Sequence, residues 1–408
     1  MRNSFSLVLV ITAFFVLSCN SSQNRSSANN ISTTLQEKGK VIPDISCLKD
    51  PTTRYSLYLP SGYTKDKKYP LILSFDPHAS GKLPVEKYHA LAEQYGYILM
   101  GSNNSKNGQP LTETQSMINS MFEEINTRYS VDTSRIYLMG FSGGARIASL
   151  IALYAGGIRG VIGCGAGFPG SIQPGQFRFD YIGLAGNADF NMNELVNLDE
   201  QLEQQGFRHA LVIFDGKHEW PAKETLEKAF IWTEFCAMKD NLIPKNNRMI
   251  EEYHRTAEQQ ILKDKTSADI YAKYIDLKQL IRFIDGLSNT EDLKKQLNET
   301  QSSPEFKKAE KSILVLKEKE SREQQMFSEN FYMKDLDWWK KRITNYELRI
   351  TNKTDKNDVL MCKRIMSYLS LLAYMKYTGA MNARDKEKAY FALEVYRIVD
   401  PENASKIK

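Results

Sequence analysis

The stretch IYLMGFSGGARIA, residues 136–148, decides the fold of this chain. Its first four residues are apolar or aromatic and predict a buried strand, and its last four predict the start of a helix. Between them, Gly140, Gly143 and Gly144 surround Ser142 in the pattern G-x-S-x-G. Such a turn requires small residues around the serine, because the helix must pass close to the strand. The stretch therefore predicts a strand, a tight turn and a helix, with Ser142 exposed at the turn.

On both sides of this turn, short apolar runs alternate with helical patterns. The predicted strands are 54–59, 71–75, 97–101, 135–140, 160–164, 181–185 and 210–214, and the predicted helices are 85–95, 113–129, 145–154, 192–205 and 223–236. Alternation at this spacing predicts an α/β fold, a mostly parallel sheet with helices on both faces. Ligands of such sheets bind at the carboxyl ends of the strands, so we expect the chemistry there.

Composition divides the chain near residue 240. Of the 23 glycines, 21 lie in residues 1–240, and the remainder of the 408 residues is charged and helical in pattern. The shift predicts an α/β domain over 41–240 and an all-α domain over 241–408. The segment 388–403 weakly resembles part of a tetratricopeptide repeat, and a helical array of this kind suggests docking on a protein partner or on the α/β domain. The net charge of +5, without a dense basic stripe, argues against nucleic acid as a partner.

The N-terminus carries a targeting pattern. A basic start and an apolar run over 7–17 precede Cys19, and residues 16–19 resemble a bacterial lipobox, in which the chain is cut before the cysteine that carries the lipid. We therefore expect a signal peptide over 1–18, a Ser/Asn-rich tether over 19–40 and a lipoprotein of the cell envelope, held at the outer membrane and facing the periplasm. The alternative is a plain secretory peptide. No other stretch is apolar and long enough for a transmembrane helix.

Cysteine spacing predicts neither a metal site nor a disulfide framework. The five cysteines are widely scattered and form no CxxC pair or Cys/His cluster. We therefore expect no bound metal.

A serine nucleophile needs a base and an orienting carboxylate. His218 follows the last predicted strand on the side where the turn at Ser142 opens, so it is the expected base. Two aspartates between the serine and the histidine follow strand ends, Asp189 and Asp215. Asp215 lies three residues from His218 and would have to fold back to reach the imidazole, so Asp189 is preferred and Asp215 remains the alternative.

The same chemistry needs donors for the oxyanion. The backbone of Gly143, at the start of the helix after Ser142, supplies the first. The second is expected from the loop after the strand 71–75, where Pro77 has no N–H, so the His78 backbone is the first choice and Ala79 the second. The loop 102–108, rich in asparagine, either lines the cleft, where it would suit a sugar alcohol, or is simply solvated.

Four segments carry a family resemblance: 69–73, 91–98, 131–137 with the turn that follows, and the His-x-Trp-Pro tetrad at 218–221. Over residues 54–235 the chain resembles the extracellular α/β-hydrolase esterases of the polyhydroxybutyrate depolymerase and feruloyl or acetyl xylan esterase group. The resemblance implies Ser142 as nucleophile, Asp189 as acid and His218 as base, with no cofactor. Asp76-Pro77 stands where the family usually has His-Gly.

Three functions follow from these patterns. The leading one is a serine esterase that hydrolyses a carboxylic ester, such as an acyl or feruloyl ester on a polysaccharide. The second is a binding or scaffold lipoprotein with a hydrolase fold of little or no activity, and the third is a serine peptidase of related fold. An intact Ser/Asp/His set favours the first, because a scaffold has no need of it.

Overall fold

The computed structural model describes residues 37–169, 178–266, 270–352 and 355–407. One sheet carries eight strands in the order β1-β2-β4-β3-β5-β6-β7-β8. The strands are β1 Val41–Ser46, β2 Arg54–Tyr58, β3 Tyr69–Phe75, β4 Ile98–Ser102, β5 Val131–Phe141, β6 Gly160–Cys164, β7 Asp180–Gly186 and β8 His209–Phe214. From β4 to β8 all neighbours are parallel, while β2 runs antiparallel to both β1 and β4.

Four helices connect the strands, and a fifth follows the last strand. They are α1 Lys82–Tyr95, α2 Leu111–Arg128, α3 Gly143–Tyr154, α4 Met192–Gln204 and α5 Lys223–Lys239. Two hydrophobic cores form around β-branched and aromatic side chains of the central strands, which are buried along their whole length. The predicted fold class, an α/β-hydrolase sheet followed by an all-α region, is confirmed.

The strand β1 was not predicted. It contains Pro43 and Asp44, and it lies at the edge of the sheet with only part of its surface buried. Proline is tolerated on an edge strand because no partner needs its N–H, and such a strand lacks the apolar alternation that identifies a strand in sequence. Periodicity alone therefore overlooked it.

The rest of the described chain is helical. It comprises α6 Asn247–Thr266, α7 Ile270–Ile284, α8 Glu291–Ser302, α9 Pro304–Glu329, α10 Leu336–Asn352, α11 Lys356–Asn382, α12 Lys386–Val399 and α13 Pro401–Ala404. Side-chain caps at Ser303, Asp355 and Asp385 begin three of these helices. A third hydrophobic core joins α9 to α13.

The α/β part and the helical part share a core where α5 meets α7. Phe283 of α7 is fully buried and contacts Trp232 and Phe235 of α5, with ring centroids 5.0 Å and 6.5 Å apart. Lys239 also donates from Nζ to the carbonyl of Arg282 at 2.8 Å. The division into domains at residue 240 stays a prediction.

The predicted signal peptide, Cys19 and the tether up to residue 36 lie outside the described residues. None of the helices in the described ranges combines the length and the apolar character that crossing a bilayer requires. Lipidation at Cys19 and attachment to an envelope membrane therefore stay predictions.

Candidate active site

The turn between β5 and α3 holds Ser142 in a rare backbone conformation. Its φ is 52° and its ψ is −119°, which an L-residue adopts only when the surrounding structure imposes it. Two close backbone approaches around the turn require glycine. A Cβ on Gly140 would collide with the backbone of Gly144, and a Cβ on Gly144 would collide with the carbonyl of Phe75 in β3. The glycines that flank the serine therefore allow the strained turn that the sequence predicted.

Three loops at the carboxyl ends of the strands bring Ser142, His218 and Asp189 together. His218 Nε2 lies 2.9 Å from Ser142 Oγ, and His218 Nδ1 lies 2.9 Å and 3.0 Å from the two carboxylate oxygens of Asp189. With the proton on Nδ1 donated to the carboxylate, Nε2 is free to accept from the serine hydroxyl. This is the hydrogen-bonded order that a serine nucleophile requires.

The surroundings of His218 restrict its ring and keep water from the carboxylate. Phe141 and Phe190 lie on the ring, with centroids 4.6 Å and 4.3 Å away. Asp189 is only 1% exposed, and its Oδ1 also accepts from the Asn191 N–H at 2.8 Å. A buried carboxylate with two donors is fixed in orientation, so it can hold the imidazole in one tautomer.

Asp215, the alternative carboxylate, lies elsewhere. It is exposed, and its Oδ1 accepts from the Asn187 side-chain amide at 3.2 Å. The structure therefore places Asp189, and not Asp215, on the imidazole.

The loop after β3 is organised by Asp76. This buried carboxylate accepts from the His78 N–H at 2.9 Å and from Trp220 Nε1 at 2.8 Å. The Ala79 N–H donates to the carbonyl of Ser105 at 2.7 Å. Both backbone donors expected from this loop thus already have partners inside the protein, and the His78 ring itself is largely exposed. The second oxyanion donor stays a prediction.

The tryptophan of the His-x-Trp-Pro tetrad explains why Asp76 can be buried. Trp220 packs between Tyr88 and Phe141, with ring centroids 5.9 Å and 5.6 Å away, while its indole N–H satisfies Asp76. Tyr88 of α1 donates in turn to the carbonyl of Pro221 at 2.7 Å. The tetrad therefore links the histidine loop to the loop after β3.

Only one of the three asparagines in the loop 102–108 lies beside the turn that holds Ser142. Asn103 and Asn104 hydrogen-bond to the strands and turns of β1 and β2. Asn107 is exposed, and its Oδ1 lies against the α-carbon of Gly143, where a Cβ would collide with it. Asn107 is therefore the side chain of this loop that a substrate at Ser142 would meet.

The cysteines of the described residues are a second set of nucleophilic side chains. The described cysteines Cys47, Cys164, Cys236 and Cys362 are free and buried. Burial raises the pKa of Cys47 to about 12 and that of Cys362 to about 11, which suppresses the reactive thiolate. Their thiols are therefore inert packing groups.

Asp199, Glu203 and His209 come within 4.8 Å of one another in the described part of the chain, close enough to hold a cation. Arg282 and Lys278 of α7 both contact these carboxylates. Positive side chains already neutralise the cluster, so it is an ion-pair network between α4 and α7 and not a metal centre.

Comparison with known proteins gives likenesses to solved structures. No family model matches the chain, and no curated protein matches it. It is similar to S-formylglutathione hydrolase from Staphylococcus aureus, at 12% identity and a TM-score of 0.40 over 48% of this chain and 98% of that one. It is also similar to a truncated carbohydrate esterase from gut microbiota, at 12% identity and a TM-score of 0.40 over 49% of this chain and 96% of that one. A ferulic acid esterase is similar at 16% identity and a TM-score of 0.38, over 47% of this chain and 94% of that one.

At these identities and scores the likenesses carry nothing about substrate or role. What the site can do follows from its own geometry.

Two features of the site were missed from sequence. Phe190 follows Asp189 directly, but no pattern marks it as the platform for the His218 ring. The Asp76–Trp220 bond joins residues 144 positions apart. The departure from His-Gly at 76–77 and the tryptophan of the tetrad were both visible in the sequence, yet only the fold shows that they are partners.

Proposed function

We propose that this protein is a serine hydrolase acting on carboxylic esters. The observation that carries the proposal is the continuous hydrogen-bonded series from Ser142 through His218 to Asp189. His218 takes the hydroxyl proton as Ser142 attacks the ester carbonyl, and it gives that proton to the leaving alcohol. Asp189 holds the imidazole and stabilises the imidazolium. Water activated by the same histidine then releases the acyl group.

Stabilisation of the tetrahedral intermediate falls to backbone donors. The Gly143 N–H belongs to the first turn of α3, where helix geometry leaves it without an intrahelical acceptor and the helix dipole favours negative charge. A single oxyanion donor contributes about 3 kcal/mol. We keep the His78 backbone as the second donor, which requires its N–H to leave Asp76 or to be shared when substrate binds.

The alcohol side of the substrate meets a polar surface. Asn107 places an amide beside Gly143, and an amide both donates to and accepts from hydroxyl groups. This supports an ester of a polyhydroxylated alcohol, such as an acyl or feruloyl ester on a polysaccharide. Asn107→Ala should then raise KM for acetylated xylan while leaving KM for p-nitrophenyl acetate unchanged, and equal effects on both substrates would contradict this assignment.

The test of the reaction class is hydrolysis of p-nitrophenyl acetate by the purified protein, together with labelling by a fluorophosphonate probe. We expect turnover and labelling in the wild type, and loss of both in Ser142→Ala. A folded wild-type protein that neither turns over the ester nor takes the label would favour the scaffold function. Cleavage of a peptide p-nitroanilide at a comparable rate would favour the peptidase.

We also propose that the enzyme acts at the cell envelope through a lipid on Cys19. The lipobox-like residues 16–19 support this, and the tether that follows would let the catalytic part stand away from the membrane. Cys19→Ser should move the protein from the membrane fraction to the soluble fraction. Identical fractionation of both forms would contradict lipidation.

A further inference from the structure

The helical part of the chain buries very little charge. Among its described residues from Asn247 onward, the charged side chains that are fully buried are Glu320 of α9 and Arg364 of α11, which are 1% and 6% exposed. They form one ion pair, with Arg364 Nε 3.0 Å from both carboxylate oxygens and Nη2 2.7 Å from Oε2. Desolvation of the two charges offsets much of their attraction, so a buried pair of this kind adds little net stability.

The remaining nitrogen of Arg364 forms its hydrogen bond with the α/β part of the chain. Nη1 donates to the backbone carbonyl of Asn187 at 2.9 Å and lies 3.9 Å from Met192 Sδ. Asn187 lies in the loop between β7 and α4, two residues before Asp189. A side chain from α11 thus holds the loop that carries the carboxylate of the triad.

Asn187 also joins that loop to the histidine loop. Its N–H donates to the carbonyl of Phe214 at 2.8 Å, and its side-chain oxygen accepts from the Gly216 N–H at 3.4 Å. The Ala188 N–H donates to the carbonyl of Gly216 at 2.9 Å. Gly216 precedes His218 by two residues. Fixing Asn187 therefore fixes both loops whose side chains must meet within hydrogen-bonding distance.

We propose that Arg364, oriented by Glu320, is a positioning residue for the triad, so that the helical part of the chain sets the geometry of the active site. The inference rests on the proposed function. Arg364 does not reach the reacting atoms, and its effect passes through Asn187 to the Asp189–His218 contact. Displacements of about 1 Å in such contacts cost up to about 10²-fold in rate. The loss should fall on kcat and leave KM unchanged, because substrate contacts remain intact.

The experiment uses the double variant Glu320→Leu/Arg364→Met in the full chain. Replacing both partners with apolar side chains removes the donor to Asn187 without leaving a buried charge, so the fold should survive with a Tm close to that of the wild type. We expect kcat for p-nitrophenyl acetate to fall about 10-fold with KM within about 2-fold, and fluorophosphonate labelling to slow in parallel. Arg364→Lys, which keeps a donor, should recover part of kcat.

The matched control is Arg349→Met/Asp358→Leu. This pair also joins a helix to α11, with Arg349 Nε 3.0 Å from Asp358 Oδ2, but neither residue contacts the triad loops. It should leave kcat unchanged. A similar fall in the control, or wild-type kcat in the Glu320/Arg364 variant, would overturn the inference.

Hydrogen–deuterium exchange gives a readout that does not depend on activity. Amides 186–191 should exchange faster in the Glu320/Arg364 double variant than in the wild type and the control. If the wild type proved inactive but the double variant still exchanged faster at 186–191, the proposed function would be wrong, while the positioning of the Asn187 loop by Arg364 would be supported. Unchanged exchange in the double variant would refute the positioning of this loop by Arg364.

Discussion

The turn at Ser142, in the α/β part, and helix α11, in the helical part, use glycine in opposite ways. In the α/β part, Gly140 and Gly144 lie where two backbones touch, and neither position has space for a Cβ. In the helical part, Gly379 of α11 has nothing within 4 Å of a Cβ built upon it. The site is thus shaped by backbones that approach one another, whereas the helices are held by side chains packed between them. The first kind of structure tolerates almost no change, and the second tolerates a good deal.

The glycine contrast predicts the largest difference. Gly144→Ala forces a methyl group into the Phe75 carbonyl, so we expect the turn at Ser142 to be displaced, activity to vanish and Tm to fall sharply. Gly379→Ala adds a helix-favouring methyl in open space and should stabilise the protein by about 0.5–1 kcal/mol. Thermal unfolding with activity assays measures both. If both alanine variants kept wild-type activity and Tm, the contrast between the two glycine positions would be wrong.

A narrower comparison lies within the α/β part, between two aspartates at neighbouring strand ends. Asp189→Asn loses the carboxylate that holds the His218 tautomer, so kcat should drop by at least about 10²-fold with the fold intact. Asp215→Asn alters an exposed group whose hydrogen bond comes from the Asn187 side-chain amide, and the new amide keeps an oxygen that can accept it, so the change should cost less than about 10-fold. Steady-state kinetics on p-nitrophenyl acetate distinguishes them. The reverse order of losses would refute the assignment of Asp189.

The smallest effect concerns the ion pairs where α4 meets α7. Burial opposes ionisation of Asp199, but His209 and Arg282 outweigh it and hold the pKa of this carboxyl below its ordinary value. A lowered pKa in the folded state means that the stabilisation is present above about pH 4 and is lost as the pH falls further. Asp199→Asn should therefore lower Tm at about pH 6, and the gap to the wild type should narrow toward about pH 3. A gap that widened in acid would contradict this.

Local pattern was enough for much of the fold, and it named the three residues that the structure brings together, Ser142, His218 and Asp189. The turn at Ser142 is recognisable in the sequence because the strand, the glycines and the helix are contiguous. Asp189 was preferred because Asp215 lies only three residues from His218 and would have to fold back to reach its imidazole. Pro43 in β1 shows the limit, since an edge strand need not alternate. The bonds Asp76–Trp220 and Arg364–Asn187 could not be predicted, because they join residues 144 and 177 positions apart and no local pattern connects the two partners.

The bond from Arg364 to Asn187 has a consequence for the order in which the molecule is made. A chain emerging from the ribosome at about 5–20 residues per second exposes Ser142, Asp189 and His218 well before α11 exists. Contacts across so long a stretch of chain also form late, since their ends must first be brought together. Under the proposed function, nascent chains and C-terminal truncations would therefore carry Ser142, Asp189 and His218 in a site whose loops are not yet held, and hydrolysis would begin only once the last helices had formed.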